Sequence, residues 1–287
     1  MSTSPFCLPA TDVHLLRASA IDQEFGVWVA RPVPGARPMP AAPPRVLYVL
    51  DANLMFGTAV EMTRLMHQLF AELPPLLVVG IAYPDGDLRT VGELRNRDFT
   101  PSADPMYEEL ARRIPDFEPV LPADERMGHA RRFLGFLTDE VRPFIAARYD
   151  VAAKESILFG SSLGGLFTVW TLLTQPDAFA SYIAASPALW WNDRELFRLE
   201  EQRASRADDL AARVFVGVGS EEEATGAPWA ERLRMVTNLT HMTASLWGRG
   251  YPSLQLQEQV FDHETHTSVV PAVLTRGLRS IFSRQLG

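Results

Sequence analysis

The stretch Ile157-Leu158-Phe159-Gly160-Ser161-Ser162-Leu163-Gly164-Gly165 decides how the chain reads. The apolar run from Ser156 to Phe159 has the character of a buried parallel strand. It enters Gly-x-Ser-x-Gly with Ser162 at the centre. Leu166 to Leu173 then reads as a mostly buried helix. Strand, sharp turn with a serine at the apex, and helix is the context of a nucleophile elbow. Side chains at Gly160 and Gly164 are expected to collide with neighbouring backbone in so tight a turn. A plain Gly/Ser turn at a helix start would explain the glycines but not the hydroxyl between them.

Moving outward, the flanking segments alternate. Val13–Ala18 and Phe25–Ala30 predict an antiparallel meander. The proline-rich run from Arg31 to Pro44 excludes helix and central strand and reads as an exposed connection. Arg45–Leu50 predicts a buried strand, a helix follows from about Leu54 to Leu73, and Leu76–Ile81 predicts another strand. That spacing is a βαβ unit, so the sheet is parallel there. From Tyr83 to about Arg126 prolines and charges break the pattern, leaving a helical candidate only at Met106–Arg113. An irregular insertion of this kind is expected over the functional end of the sheet. Gly128–Tyr149 is amphipathic and helical, with Phe133, Phe136, Leu137, Val141 and Ile145 on one face. Strands are expected at Phe179–Ala185, Val214–Gly219 and Leu254–Phe261, the last with Leu254, Leu256 and Val260 turned inward. Helices are expected at Pro228–Gly248 and from Val269 to about Arg284. The alternation predicts one α/β domain over residues 1–287 with a mostly parallel sheet.

Composition narrows the function. The chain has 287 residues, 47% hydrophobic, enough for one large core. A formal net charge of −8 argues against a nucleic-acid partner. The single cysteine, Cys7, allows no internal disulfide. Met1 to Ala10 has neither a basic nor an apolar leader pattern, and no apolar run reaches membrane-spanning length, so the expectation is a cytoplasmic protein without membrane partners.

The polar residues just after predicted strands carry the chemistry. They are Asp51/Asn53, Ser162, Glu221/Glu222/Glu223 and His266, and the open end of such a sheet is where sites form. A serine hydroxyl needs an adjacent base, a histidine suits that task, and a carboxylate orients the imidazole. The chain order Ser, acid, His fits Ser162, a glutamate of 221–223, and His263 or His266. His266 is preferred on position. Glu222 is preferred as the acid, ahead of Glu221 and then Asp262, with the other two glutamates read as surface charge. His14, His67, His129 and His241 receive no role. His263-Glu264-Thr265-His266 lacks the helical spacing of a zinc motif, so no metal and no cofactor is expected. The oxyanion donors are the N–H of Leu163 and that of Ala52 or Asn53, with Asp51 ordering its loop. Trp190 and Trp191 read equally well as pocket wall and as core.

At this point the residues resemble a known family. Leu47-Tyr48-Val49-Leu50-Asp51-Ala52-Asn53, Val79–Tyr83, Arg95-Asn96-Arg97-Asp98-Phe99-Thr100-Pro101, the elbow, Ser186–Trp191 and His266–Pro271 resemble the esterase D-like α/β-hydrolases. Within them the resemblance is to the bacterial siderophore (enterobactin-type) esterase branch. It implies an α/β-hydrolase fold with helices on both sheet faces, and a serine esterase working through an acyl-enzyme on a trilactone. It points to His266 as the base and supports Glu222. It implies a substrate-binding arginine at Arg95 or Arg97; Asn53 and Trp190 are expected at the substrate from their own places just past strand ends. It also implies that Ala52, where the family usually has glycine, still donates its amide. A short-chain, aryl or thioester hydrolase is the alternative within the same chemistry. A non-catalytic binding protein on a hydrolase fold is the alternative outside it.

Overall fold

A computed structural model describes residues 7–35, 38, 42–84, 87–113, 118–223 and 228–283. The parts of the amino-terminal, proline-rich and insertion segments that fall at 1–6, 36–37, 39–41 and 114–117 lie outside the described residues, as does 284–287. Eight strands form one sheet: β1 (Thr11–Ala18), β2 (Gln23–Ala30), β3 (Arg45–Val49), β4 (Leu76–Ala82), β5 (Ile157–Ser161), β6 (Ser181–Ala185), β7 (Ala212–Gly219) and β8 (Leu254–Phe261). Their order is β1-β2-β4-β3-β5-β6-β7-β8. β1 pairs antiparallel with β2 and β2 with β4, and every other pairing is parallel.

The central strands are buried on both faces, and their side chains divide between two cores. On β3, Val46 and Tyr48 face one core while Leu47 and Val49 face the other; on β5, Leu158 opposes Ile157 and Phe159 in the same way. A period of two with apolar residues on both phases is what a fully covered strand requires. Helices α1 (Ala52–Gln68) and α10 (Val269–Phe282) cover one face. The opposite face is covered by α2 (Leu88–Phe99), α4 (Ala130–Gly135), α5 (Arg142–Arg148), α6 (Leu163–Thr174), α7 (Trp191–Ala204) and α9 (Met235–Gly248). Short helices α3 (Pro105–Ala111) and α8 (Pro228–Leu233) precede α4 and α9 in the chain. Among the described residues no helix is long and apolar enough to cross a membrane.

The structure differs from the sequence-based expectation at five places. The fourteen-residue α7 occupies a stretch for which no element was expected. The segment 83–126 is not irregular throughout, because it contains the twelve-residue α2. Asp87 caps that helix by accepting the Thr90 N–H at 2.8 Å. Charged residues hid α2: Glu93, Arg97 and Asp98 are buried with internal partners rather than solvated. The helix over 128–149 runs through a π-type turn at Phe136–Val141. The helix over 228–248 is broken at Arg234, whose φ of 49° separates α8 from α9. Val260 is exposed, because β8 is an edge strand and Phe261, not Val260, packs against the core.

Candidate active site

Two strand–turn–helix units stand side by side at the carboxyl ends of β3 and β5. β5 leads into Ser162, whose φ of 58° and ψ of −116° turn the chain directly into α6. A non-glycine residue holds such backbone only where its surroundings fix it. Here the Ser162 N–H donates to Ala185 O at 2.9 Å, and its carbonyl accepts from Leu166 at 2.8 Å and Ala188 at 3.1 Å. A Cβ at Gly160 would lie 2.2 Å from Gly164 O, and one at Gly165 would lie 2.8 Å from Ala185 O. The second steric requirement therefore falls on Gly165 rather than Gly164, where a Cβ would meet Asp51 Oδ2 at an ordinary 3.4 Å.

β3 leads in the same way into Asp51, with φ of 53°, and then α1. Leu54 and Met55 both donate to Asp51 O at 2.9 Å. Ala52 and Leu163 thus open two neighbouring helices, and the N–H groups of a first turn have no intrahelical acceptor. Both residues are buried. The Arg95 guanidinium clamps the Asp51 carboxylate through two bonds of 2.8 and 2.9 Å and donates to Ser161 O at 3.4 Å, joining the two turns. Asp51 orders its loop through this pair.

The remaining expected binding residues have partners of their own. The Asn53 amide donates to Tyr83 O at 2.9 Å and accepts from Tyr83 N–H at 2.8 Å. Arg97 is buried against Asp98, with bonds of 2.7 and 3.0 Å, and the Tyr83 hydroxyl donates to the same carboxylate. Burial raises the Asp98 carboxyl above the usual range, opposed by Arg97, and pushes the Tyr83 hydroxyl well up. Trp190 and Trp191 take different places. Trp191 is fully buried and donates its indole N–H to Ser102 O at 3.0 Å, whereas Trp190 is half-buried and lines a cavity.

The three consecutive glutamates, in a single turn after β7, meet three fates. Glu222 is buried. Its Oε1 accepts from the Ser186 hydroxyl at 2.5 Å and the Gly219 N–H at 2.8 Å, and its Oε2 lies 2.6 Å from His266 Nδ1. Glu223 is not surface charge: it accepts the Thr237 N–H at 2.7 Å and hydroxyl at 2.5 Å, in the first turn of α9. Glu221 remains half-exposed, 3.9 Å from the exposed His263. The loop bearing His266 closes onto the acid because position 219 has no side chain: a Cβ there would lie 2.1 Å from Glu264 O. An Nδ1–H donated to Glu222 leaves Nε2 as the acceptor that a general base needs. The hydrogen bonds among the described residues join His266 to Glu222 and not to Ser162; such contacts often tighten only when substrate binds. Among the described residues no group of three or more His, Cys, Asp or Glu is placed to hold a metal ion.

Ser186 escaped the sequence reading. It is fully buried, sits at φ of 43°, and donates its N–H to Gly217 O at 2.7 Å. The available signal was a small hydroxyl residue directly after β6, the strand between nucleophile and acid.

In sequence and fold the chain is similar to known esterases. Residues 18–255 match the family model described as "Putative esterase". The chain is 28% identical over 285 residues to the ferri-bacillibactin esterase BesA of Bacillus subtilis, covering 97% of this chain and 91% of that one. It is 34% identical over 250 residues to a siderophore enterobactin esterase of Emericella nidulans, covering 81% and 80%. The solved siderophore hydrolase EstA of Aspergillus nidulans superposes with a TM-score of 0.81 at 25% identity, over 100% of this chain and 99% of that one. The expected α/β-hydrolase fold is therefore the observed one, the chemistry is that of a serine ester hydrolase, and the chain belongs to the esterase family.

Proposed function

We propose that the chain hydrolyses siderophore esters, with Ser162, His266 and Glu222 as its triad. Ser162 Oγ attacks the ester carbonyl and gives its proton to His266 Nε2. Glu222 stabilises the imidazolium through Nδ1–H. The oxyanion is held by the N–H groups of Leu163 and Ala52. His266 returns the proton to the departing alkoxide, and water then attacks the acyl-enzyme by the same route in reverse. In this reading Arg95 and Asn53 shape the substrate side through the Asp51 turn and the Tyr83 main chain. Arg97 backs them through Asp98, and Trp190 walls the adjoining cavity.

The observation that carries the reading is the 2.6 Å bond between His266 and a carboxylate already saturated by Ser186 and Gly219. A carboxylate so held is built to fix an imidazole. The substrate class follows the names of the relatives. We place the reaction in the cytoplasm, where an exposed free thiol such as Cys7 stays reduced.

Intact-mass analysis after incubation with a fluorophosphonate tests the nucleophile. One adduct on the wild type and none on Ser162→Ala supports it; no adduct on folded wild type rejects it and favours a binding protein. Turnover of a catecholate trilactone against a short aryl ester tests the substrate class. Preference for the aryl ester would move the assignment to a general esterase.

A further inference from the structure

A cavity of about 540 Å³ lies between the start of α7, the insertion at Asp104–Met106 and the junction of α8 with α9. Arg194, Arg232 and Arg234 line it together with Trp190 and Met106. We propose that this cavity is the specificity subsite for an anionic aromatic arm of the ester substrate. The proposal rests on the ester-hydrolase reading and names the charge and shape that its substrate carries.

The elements that line the cavity are tied to the proposed reacting groups on two sides. The Ala188 N–H is bonded to Ser162 O at 3.1 Å, and Trp190 follows two residues later. Thr237, in the first turn of α9, is bonded to Glu223, the neighbour of Glu222. These ties put the Trp190 and Asn238 walls of the cavity on the segments that hold Ser162 and Glu222, and that placement is what we use to assign it to the same substrate.

The charge there is unspent. Among the described residues no carboxylate forms an ion pair with Arg194, Arg232 or Arg234. Arg194 lies over the Phe197 ring, 5.8 Å from its centroid. Two carboxylates line the cavity, and both are turned to other partners. Asp104 is buried and accepts the N–H groups of Met106 at 2.8 Å, Tyr107 at 3.3 Å and Asn192 at 2.9 Å. Asp193 projects into solvent toward Arg198, 3.9 Å away. This differs from Arg95 and Arg97, whose guanidinium groups are already consumed by Asp51 and Asp98. Guanidinium forks match delocalised oxyanions bidentately, and an indole face takes an aromatic ring.

The backbone gives a second, independent pointer. Asn192, Asp193 and Arg194 have φ of 44°, 50° and 59°, and Arg234 has 49°. Four left-handed non-glycine residues around one cavity are costly, and such strain concentrates at ligand clamps. The first group is held in place by Ser102 and Glu195, which both bond the Asn192 side chain, at 2.8 Å each.

The test compares 4-nitrophenyl benzoate with its 4-carboxybenzoate analogue. The triple variant Arg194→Gln/Arg232→Gln/Arg234→Gln is expected to lower the ratio of kcat/KM, anionic over neutral, by about tenfold or more, mainly through KM. The corresponding triple lysine variant should recover part of the ratio. Arg232→Gln alone, at an exposed helix position, keeps the test open if the triple variant does not fold; it should lower the ratio about threefold. An unchanged ratio in folded variants overturns the proposal. Calorimetric titration of Ser162→Ala with terephthalate separates this from the catalytic reading. If wild type cleaves neither ester yet terephthalate binding weakens in the arginine variants, the subsite stands and the esterase reading fails. If both esters are cleaved and terephthalate binding is indifferent to the arginines, the subsite fails alone.

Discussion

The turns at Asp51 and Ser162 hold matching places in the fold and differ in what surrounds them. Each follows a parallel strand, each has an apex residue near φ of 55°, and each opens a helix whose first amide is buried. Around Ser162 the pentapeptide is Gly-Ser-Ser-Leu-Gly, and around Asp51 it is Val-Leu-Asp-Ala-Asn. The two apices share φ but not ψ, 42° at Asp51 against −116° at Ser162, so the chain leaves them in different directions. Gly160 is demanded by the approach of the Gly164 carbonyl, and the position matching it in the other turn carries Val49 without difficulty. The apex side chains differ in the same sense. Asp51 is neutralised by Arg95, while the Ser162 hydroxyl has no hydrogen-bond partner among the described residues. One turn is braced by an ion pair, and the other carries the hydroxyl that we propose reacts.

The comparison breaks first at Gly160. Gly160→Ala should destabilise the fold by about 3 kcal/mol, because the new methyl meets backbone that cannot step aside. The equivalent small-to-large change of Val49→Ile should cost far less in the same urea titration. Equal losses would show that close approach is not what separates the two turns. Asp51→Ala should cost about 3 kcal/mol by stranding the Arg95 charge. Ser162→Ala should leave stability nearly unchanged while lowering kcat by about 10⁵-fold or more. If Asp51→Ala left the urea midpoint in place, the brace would not be the ion pair. Ser186→Ala should lower kcat by about tenfold with little change in KM, since the carboxylate that orients His266 loses one donor. A matching loss in thermal stability with kcat intact would make Ser186 merely structural.

The smallest effect concerns the flank of α2 that carries the brace. His129 is held below the ordinary histidine range, first by burial and then by Arg132 and Arg97. The folded state therefore resists a proton that the unfolded chain accepts. Stability is full above about pH 6.5 and declines as acid passes from there toward the lowered folded value. His129→Gln should flatten that decline between pH 7 and 5 in urea midpoints. An unaltered pH dependence would assign the acid sensitivity elsewhere.

These residues also show what a sequence can disclose. The elbow, the βαβ unit and the Ser-acid-His order were legible because each follows a local rule: a buried strand, a short polar turn, a helix. Glu222 was preferred among three glutamates by its place after β7, and the structure gives it the His266 contact. α2 was not legible, because its Arg97 and Asp98 satisfy one another inside the protein while reading as solvent-facing charge. Ser186 was not legible for a related reason. Its partner lies thirty-six residues away, and only the adjacency of β6 and β7 brings them together. The break at Arg234 left no trace because an arginine at positive φ carries no signature of its own.

The strand order has a consequence for the timing of activity. β8 lies at the sheet edge and is the last of the eight strands in chain order, and the loop after it carries His266. A nascent chain that has already formed β3 to β7 holds the serine and the glutamate but no base. On the proposed triad, hydrolytic competence arrives in one late step, when β8 docks on β7 and Gly219 admits the loop beyond it. A fragment that stops before residue 254 lacks the base of that triad.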